Sequence, residues 1–196
     1  MLTQFPEPLI EPLPLVIGIR YPIELTDFVH NEDPELAPEW TIKLGQANLR
    51  MFRALFKGMF IQTIEIDNAT KDSEEAEPQT TTSLDAIIEP SLEEVEFSVP
   101  EQSGNQQFTV WLRYNILITT PEGKLITNWR ITGYGQQDEG PMGMGDETAM
   151  RKAAVTALRD AAANIATTFS SVPNIKRTLL NPPNPFMKGT EIIAAP

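Results

Sequence analysis

The sequence contains no cysteine and a single histidine, His30. The first absence removes disulfides, thiolate metal sites and cysteine nucleophiles together. The second removes multi-histidine zinc sites and leaves any Ser-His-Asp arrangement dependent on one residue in a loop-like stretch. No apolar run reaches the roughly 18 residues of a membrane-spanning helix, and the first residues do not have the pattern of a signal peptide. Basic residues are scarce: 15 Lys and Arg stand against 27 Asp and Glu, a formal net charge of −12. The acid excess lies wholly in the first hundred residues. Phosphate binding needs clustered Lys and Arg, so nucleic acid is not expected as a partner. The glycine-rich stretch GQQDEGPMGMG after Tyr134 has neither GxxxxGK[ST] nor GxGxxG spacing, which excludes a phosphate cradle there.

What remains is a chain of 196 residues, 41% hydrophobic and 21% charged, long enough for one domain with a real core. Its centre is the stretch 106–136. Phe108, Val110, Leu112, Tyr114, Ile116 and Ile118 alternate with Thr109, Trp111, Arg113, Asn115, Leu117 and Thr119. That period of two marks a half-buried strand. Pro121-Glu122-Gly123 reverses the chain, and Leu125, Thr127, Trp129 and Ile131 alternate with Ile126, Asn128, Arg130 and Thr132 in a second arm. Two such arms around a Pro/Gly turn predict a β-hairpin.

The 17 prolines cluster toward the ends. Residues 1–14 carry Pro6, Pro8, Pro12 and Pro14 and suit an extended tether. Residues 15–21 suit a buried strand, and 22–38 a loop. Its acidic residues Glu32, Asp33, Glu35 and Glu39 lack calcium-loop spacing and suit a solvated surface. From Glu39 to Met59 the period is helical, with Leu44, Ala47, Met51, Leu55 and Met59 in line, Phe52 and Phe56 widening the stripe, and Gly58 as a stop. Residues 60–67 form a second strand, so that strand, helix and strand suggest a parallel crossover. The acidic, Thr/Ser-rich 68–83 lacks core formers. Residues 84–99 resume a β pattern with a break at Pro90-Ser91. Asp146 is placed to cap a long helix, whose inner face of Ala154, Ala157, Ala161 and Ile165 permits close approach to a sheet. Arg159 and Asp160 fall on its solvated side. Residues 173–196 lack periodicity.

The expected fold is therefore α+β, with two helices on one face of a mixed sheet of about five strands. The order is β-α-β-β-β-β-α. Residues 1–14 form the tether, 15–172 the single domain, and 173–196 an extended or disordered tail.

This order, carried by LGQANLRMFRALFKGMFIQTIEID, DAIIEPSLEEVEFSVP, FTVWLRYNILITTPEGKLITNWRITGYG and ETAMRKAAVTALRDAAANIATTF, resembles the periplasmic domains of bacterial outer-membrane lipoproteins. In pattern it is similar to the lipopolysaccharide-assembly lipoprotein and to the auxiliary lipoproteins of envelope ABC transporters. The resemblance implies a non-enzymatic, lipid-anchored periplasmic accessory in envelope transport or outer-membrane assembly. Its lipid anchor would lie outside this sequence, tethering it to the outer membrane, and its partner would be an envelope protein or a second copy. It carries over no catalytic, metal or cofactor residue. The acidity argues against direct contact with phosphorylated lipid A and favours protein contacts.

Two other readings come from the residues. A soluble small-ligand-binding module would place a pocket between the Met/Phe helix and the sheet, lined by Phe52, Phe56, Phe97 and Trp129. A carboxylate hydrolase would need a converging pair among Glu89, Glu93, Glu94 and Glu96. If a surface acts, it is the outward face of the hairpin, with Trp111, Arg113, Arg130 and Tyr134, residue types common at binding hot spots.

Overall fold

The computed structural model describes residues 5–32, 40–67, 83–100, 106–138 and 145–182. The chain enters strand β1 (Leu13–Ile19), a one-turn helix α1 (Ile23–Thr26), and the short strands β2 (Val29–Glu32) and β3 (Trp40–Lys43). Helix α2 (Gly45–Met59) leads into β4 (Phe60–Glu65). Then come β5 (Ala86–Ser98), β6 (Gln107–Thr119), β7 (Leu125–Asp138) and helix α3 (Asp146–Thr168). Five strands make one mixed sheet in the order β4-β1-β5-β6-β7. β1 runs parallel to both β4 and β5, and β5, β6 and β7 form an antiparallel meander. The α+β class and the five-stranded mixed sheet are as expected.

The alternation in β6 is realised at every position: Phe108, Val110, Leu112, Tyr114, Ile116 and Ile118 are buried and the intervening side chains are half-exposed. The turn closes with Thr120 N–H donating to Lys124 O at 2.8 Å, and Gly123 takes φ +84°. α2 lays Met51, Phe52, Leu55, Phe56 and Met59 on the buried face. Phe52 meets the Tyr114 ring edge-on at 5.3 Å and stacks on Phe56 at 5.5 Å. One polar pair is enclosed there. Tyr114 Oη donates to Asn48 Oδ1 at 2.6 Å, and Asn48 Nδ2 donates to the Leu25 carbonyl at 3.5 Å, tying β6, α2 and α1 together. A buried polar group is tolerated when its partners are present, and this one has them.

α3 sits on β7 and β6 through small residues. A Cβ on Gly135 would lie 2.0 Å from the Ala153 carbonyl oxygen, and one on Gly133 would lie 2.3 Å from that of Ala157. The alanine face expected of this helix thus meets a glycine face on the strand. Gly135, read with the loop that follows Tyr134, belongs to β7. α3 also covers the outer edge of β7. Tyr134 N–H donates to Asp160 Oδ2 at 3.0 Å, and Asn164 Nδ2 donates to the Thr132 carbonyl at 3.1 Å. Asp160, placed by the sequence on the solvated side, is therefore an edge cap.

Other boundaries differ from expectation. The loop over 22–38 contains α1 and β2, and the helix begins at Gly45 instead of Glu39, because β3 precedes it. β5 runs unbroken through Pro90. β1 has ended by then: Arg20 N–H donates to Ile88 O, so the side of β5 where Pro90 lacks its N–H faces no further strand. The irregularity falls instead between Leu92 and Glu94. α2 ends at Met59 as expected, one residue past Gly58, which also admits Pro8, whose Cδ would lie 2.5 Å from a Cβ there. Gly145 rather than Asp146 occupies the N-cap, and Asp146 and Glu147 lie in the first turn, where their charge suits the helix dipole. Of the stretch expected as a tether, residues 13–14 lie in β1, and Glu7 pairs with Lys57 Nζ at 2.7 Å. Of the expected tail, residues 173–180 are helical and Ile175 is buried. The acidic stretch 68–82 and residues 183–196 lie outside the described residues, as do Asp33, Glu35 and Glu39.

Two outcomes follow. Gly135→Ala forces α3 off the sheet and lowers stability by about 2 kcal/mol or more, in the range of overpacked cores, read as a lower urea midpoint. Burial raises the Tyr114 phenol above its ordinary value. The unfolded phenol ionises near pH ~10 while the folded one keeps its proton, so the unfolded state binds fewer protons and stability falls as pH rises from there. Tyr114→Phe reduces that alkaline loss, but at neutral pH it costs ~1–3 kcal/mol by leaving Asn48 Oδ1 without its donor. Urea denaturation at neutral and alkaline pH checks both.

Candidate functional site

The helices cover one face of the sheet, and the side chains of the other face are set by the strand registers. Trp111 lies opposite Glu96 on β5 and Tyr134 on β7. Arg113 lies opposite Glu94 and Thr132, and Asn115 opposite Ser91 and Arg130. The four residues expected on one outward face therefore share it. Trp111, Arg113 and Tyr134 adjoin one another, and Arg130 lies two rows further along.

Their contacts form a charge lattice. The Arg113 guanidinium lies 4.5 Å from the Trp111 ring centroid and pairs with Glu94 Oε2 at 2.5 Å. A cation over an indole face is held by the ring quadrupole as well as by its carboxylate. Arg130 reaches across β6 to Glu93, with Nε at 2.9 Å and Nη2 at 3.3 Å from the two carboxylate oxygens. The bulge in β5 falls at Glu93 and takes that residue out of the regular pairing. Further in, Arg20 Nη1 meets Glu89 Oε2 at 3.0 Å, with both side chains largely enclosed. Tyr134 is half-exposed, and its Oη donates to Gln136 Oε1 at 3.0 Å. Trp111 and Tyr134 line a shallow depression of about 320 Å³ together with Glu96, Ser98 and Thr109.

This geometry bears on each sequence reading. Of the four carboxylates weighed for acid–base work, Glu89, Glu93 and Glu94 are each engaged by a different arginine, and Glu96 lies opposite Trp111. The four residues expected to line a pocket between the helix and the sheet are each engaged in ring contacts. Phe52 and Phe56 are buried in ring-on-ring contact, Trp129 packs against Phe169 at 6.3 Å, and Phe97 meets His30 at 5.3 Å. His30 thus has an aromatic neighbour. Among the described residues no group of three or more His, Asp or Glu side chains is placed to hold a metal ion, and no helix is long and apolar enough to cross a membrane. The sequence reading missed the glutamate partners, which depend on the β5 register. It also missed the cleft under the amino-terminal segment described below.

The chain matches no protein-family model and no curated protein sequence. Among solved structures it is similar to a DUF330 protein from Xanthomonas campestris, with 10% identity and a TM-score of 0.55, covering 89% of this chain and 95% of that one. A minor lipoprotein from Acinetobacter baumannii aligns at a TM-score of 0.49 and 8% identity over 82% of this chain and 94% of that one. The first likeness shows a shared fold.

The lattice is a surface feature, and its members should separate by burial. Glu89→Ala strands the enclosed Arg20 and lowers the urea midpoint clearly. Arg113→Ala and Arg130→Ala leave the midpoint near the parent value, because exposed pairs contribute little.

Proposed function

We propose that this chain is a non-enzymatic accessory protein of the bacterial envelope. It is lipid-anchored on the periplasmic side of the outer membrane, serves transport or assembly there, and works by binding a protein partner through the outer sheet face. One observation carries the reading. A row of Trp111, Arg113 and Tyr134 stands half-exposed on long, paired strands whose other face is packed. Aromatic and arginine side chains on a rigid sheet offer large contact area at low entropic cost, as binding hot spots do. The element order that resembles outer-membrane lipoproteins supports the envelope setting. The residues ahead of β1 would then act as the link to the anchor, with Glu7 and Pro8 resting on α2.

The partner is a protein whose contact patch offers carboxylates or an aromatic pocket, since Arg113 and Tyr134 present a donor and a ring. The test is a photo-reactive residue at Thr109 or Gln136, beside Trp111 and Tyr134, in the full gene product made in its own host. Expected is a discrete crosslink to an envelope protein or to a second copy, lost in Trp111→Ala combined with Arg113→Ala while the circular dichroism stays that of the parent. Recovery of the protein only in the cytosolic fraction, or crosslinks indifferent to that double change, would refute the proposal.

A further inference from the structure

On the helix side of the molecule, away from the charge lattice, the amino-terminal segment bridges α2 and α3 and leaves a cleft of about 410 Å³ beneath it. The hollow has a sequence cause. Pro6 and Pro8 keep the segment extended, so it spans the helices without folding down between them. Two attachments hold it there: Glu7 on Lys57, and Pro8 seated on Gly58. On the α3 side the wall is made of Ala162, Ala163 and Ala166, whose side chains are too short to fill the space. Met51 and Leu55 of α2 form the remaining wall. The volume falls in the range of roughly 300–1,000 Å³ typical of small-ligand pockets.

The polar groups at this cleft are few and differ in sign. Glu7 is taken up by Lys57. Arg159 lies on the lining, is exposed, and has no ion-pair partner among the described residues. The uncommitted charge at the rim is therefore positive. The chain as a whole is acidic, but at physiological salt a charge is screened beyond about 8 Å, so the local cation decides what approaches closely. A peptide strand is a poor fit. Its backbone N–H and C=O groups would enter an almost wholly apolar lining in which Pro6 and Pro8 have no N–H to offer, and unpaired polar groups are costly to bury. An alkyl chain has no such groups.

We propose that this cleft binds one alkyl chain bearing a carboxylate, a free fatty-acid-like molecule. The chain lies between the alanines of α3 and the proline-rich segment, and the carboxylate sits at Arg159. The site is separate from the outer sheet face and stands whether or not that face binds a protein.

Calorimetric titration of the 196-residue chain with decanoate, decanol and phosphatidylglycerol vesicles tests this. Expected is saturable one-to-one binding of decanoate and no binding of vesicles. Arg159→Gln should weaken decanoate by roughly three- to fivefold, the size of an exposed ion pair, and leave decanol unchanged. Ala163→Trp, at an exposed position that tolerates a large side chain, should abolish both while circular dichroism stays that of the parent. No saturable decanoate binding, binding that survives Ala163→Trp, binding of vesicles alone, or equal loss of decanoate and decanol in Arg159→Gln would each overturn the assignment.

Discussion

The contact on which the rest of the molecule depends is the seating of α3 on the bare backbone of β7. Gly133 and Gly135 present no side chain, and Ala153 and Ala157 bring the helix backbone to within about a van der Waals contact of the strand. This close approach fixes how far the helical layer stands from the sheet, and so how much space the side chains of β6 must fill. It also places Asp160 and Asn164 at the rim of the sheet, where they satisfy β7 backbone groups that would otherwise face water. Further along, the helix ends at a point where Phe169 can meet Phe60 and Trp129. One small-on-small interface therefore sets layer spacing, edge protection and the closure of the aromatic core.

The two faces of the sheet solve opposite problems. The inner face is apolar apart from Tyr114, which bonds Asn48 of α2, and the buried Thr127 near the start of β7. The outer face carries much of the acid of β5, and the hairpin answers it with Arg113 and Arg130. The acid excess of the amino-terminal half and the near balance of the carboxy-terminal half thus meet across β5 and β6, strand to strand. The aromatic rings join this arrangement, Trp111 lying against Arg113 and Tyr134 standing half-exposed beside it.

What the sequence disclosed follows from locality. The β6–β7 hairpin was legible because alternation and a Pro-Glu-Gly turn are properties of neighbouring residues, and that same period put Trp111, Arg113, Arg130 and Tyr134 on one face. The alanine stripe of α3 was legible for the same reason. β2 and β3 were not: VHNE and WTIK are too short and mixed to show a period. Pro90 misled because its cost depends on whether a neighbouring strand still runs beside it, and β1 stops short. Gly135 was taken for a loop residue because glycine signals turns locally, while its use here is to admit a helix many residues later. The glutamate partners depend on a bulge, and the cleft on segments far apart in sequence.

The position of β1 has a consequence for how the chain comes to be folded. It precedes the other strands of its sheet in chain order, yet it lies inside the sheet, and its partners are β4 and the start of β5. During synthesis the apolar run LVIGI must remain without its neighbours until both have emerged. The meander, by contrast, pairs strands as they follow one another. Long-range pairing of this kind is slow and leaves an apolar strand open to other chains. Pro12, Pro14 and Pro22 bracket that run. Prolines so placed withhold N–H groups from any foreign strand, which guards the segment while it waits.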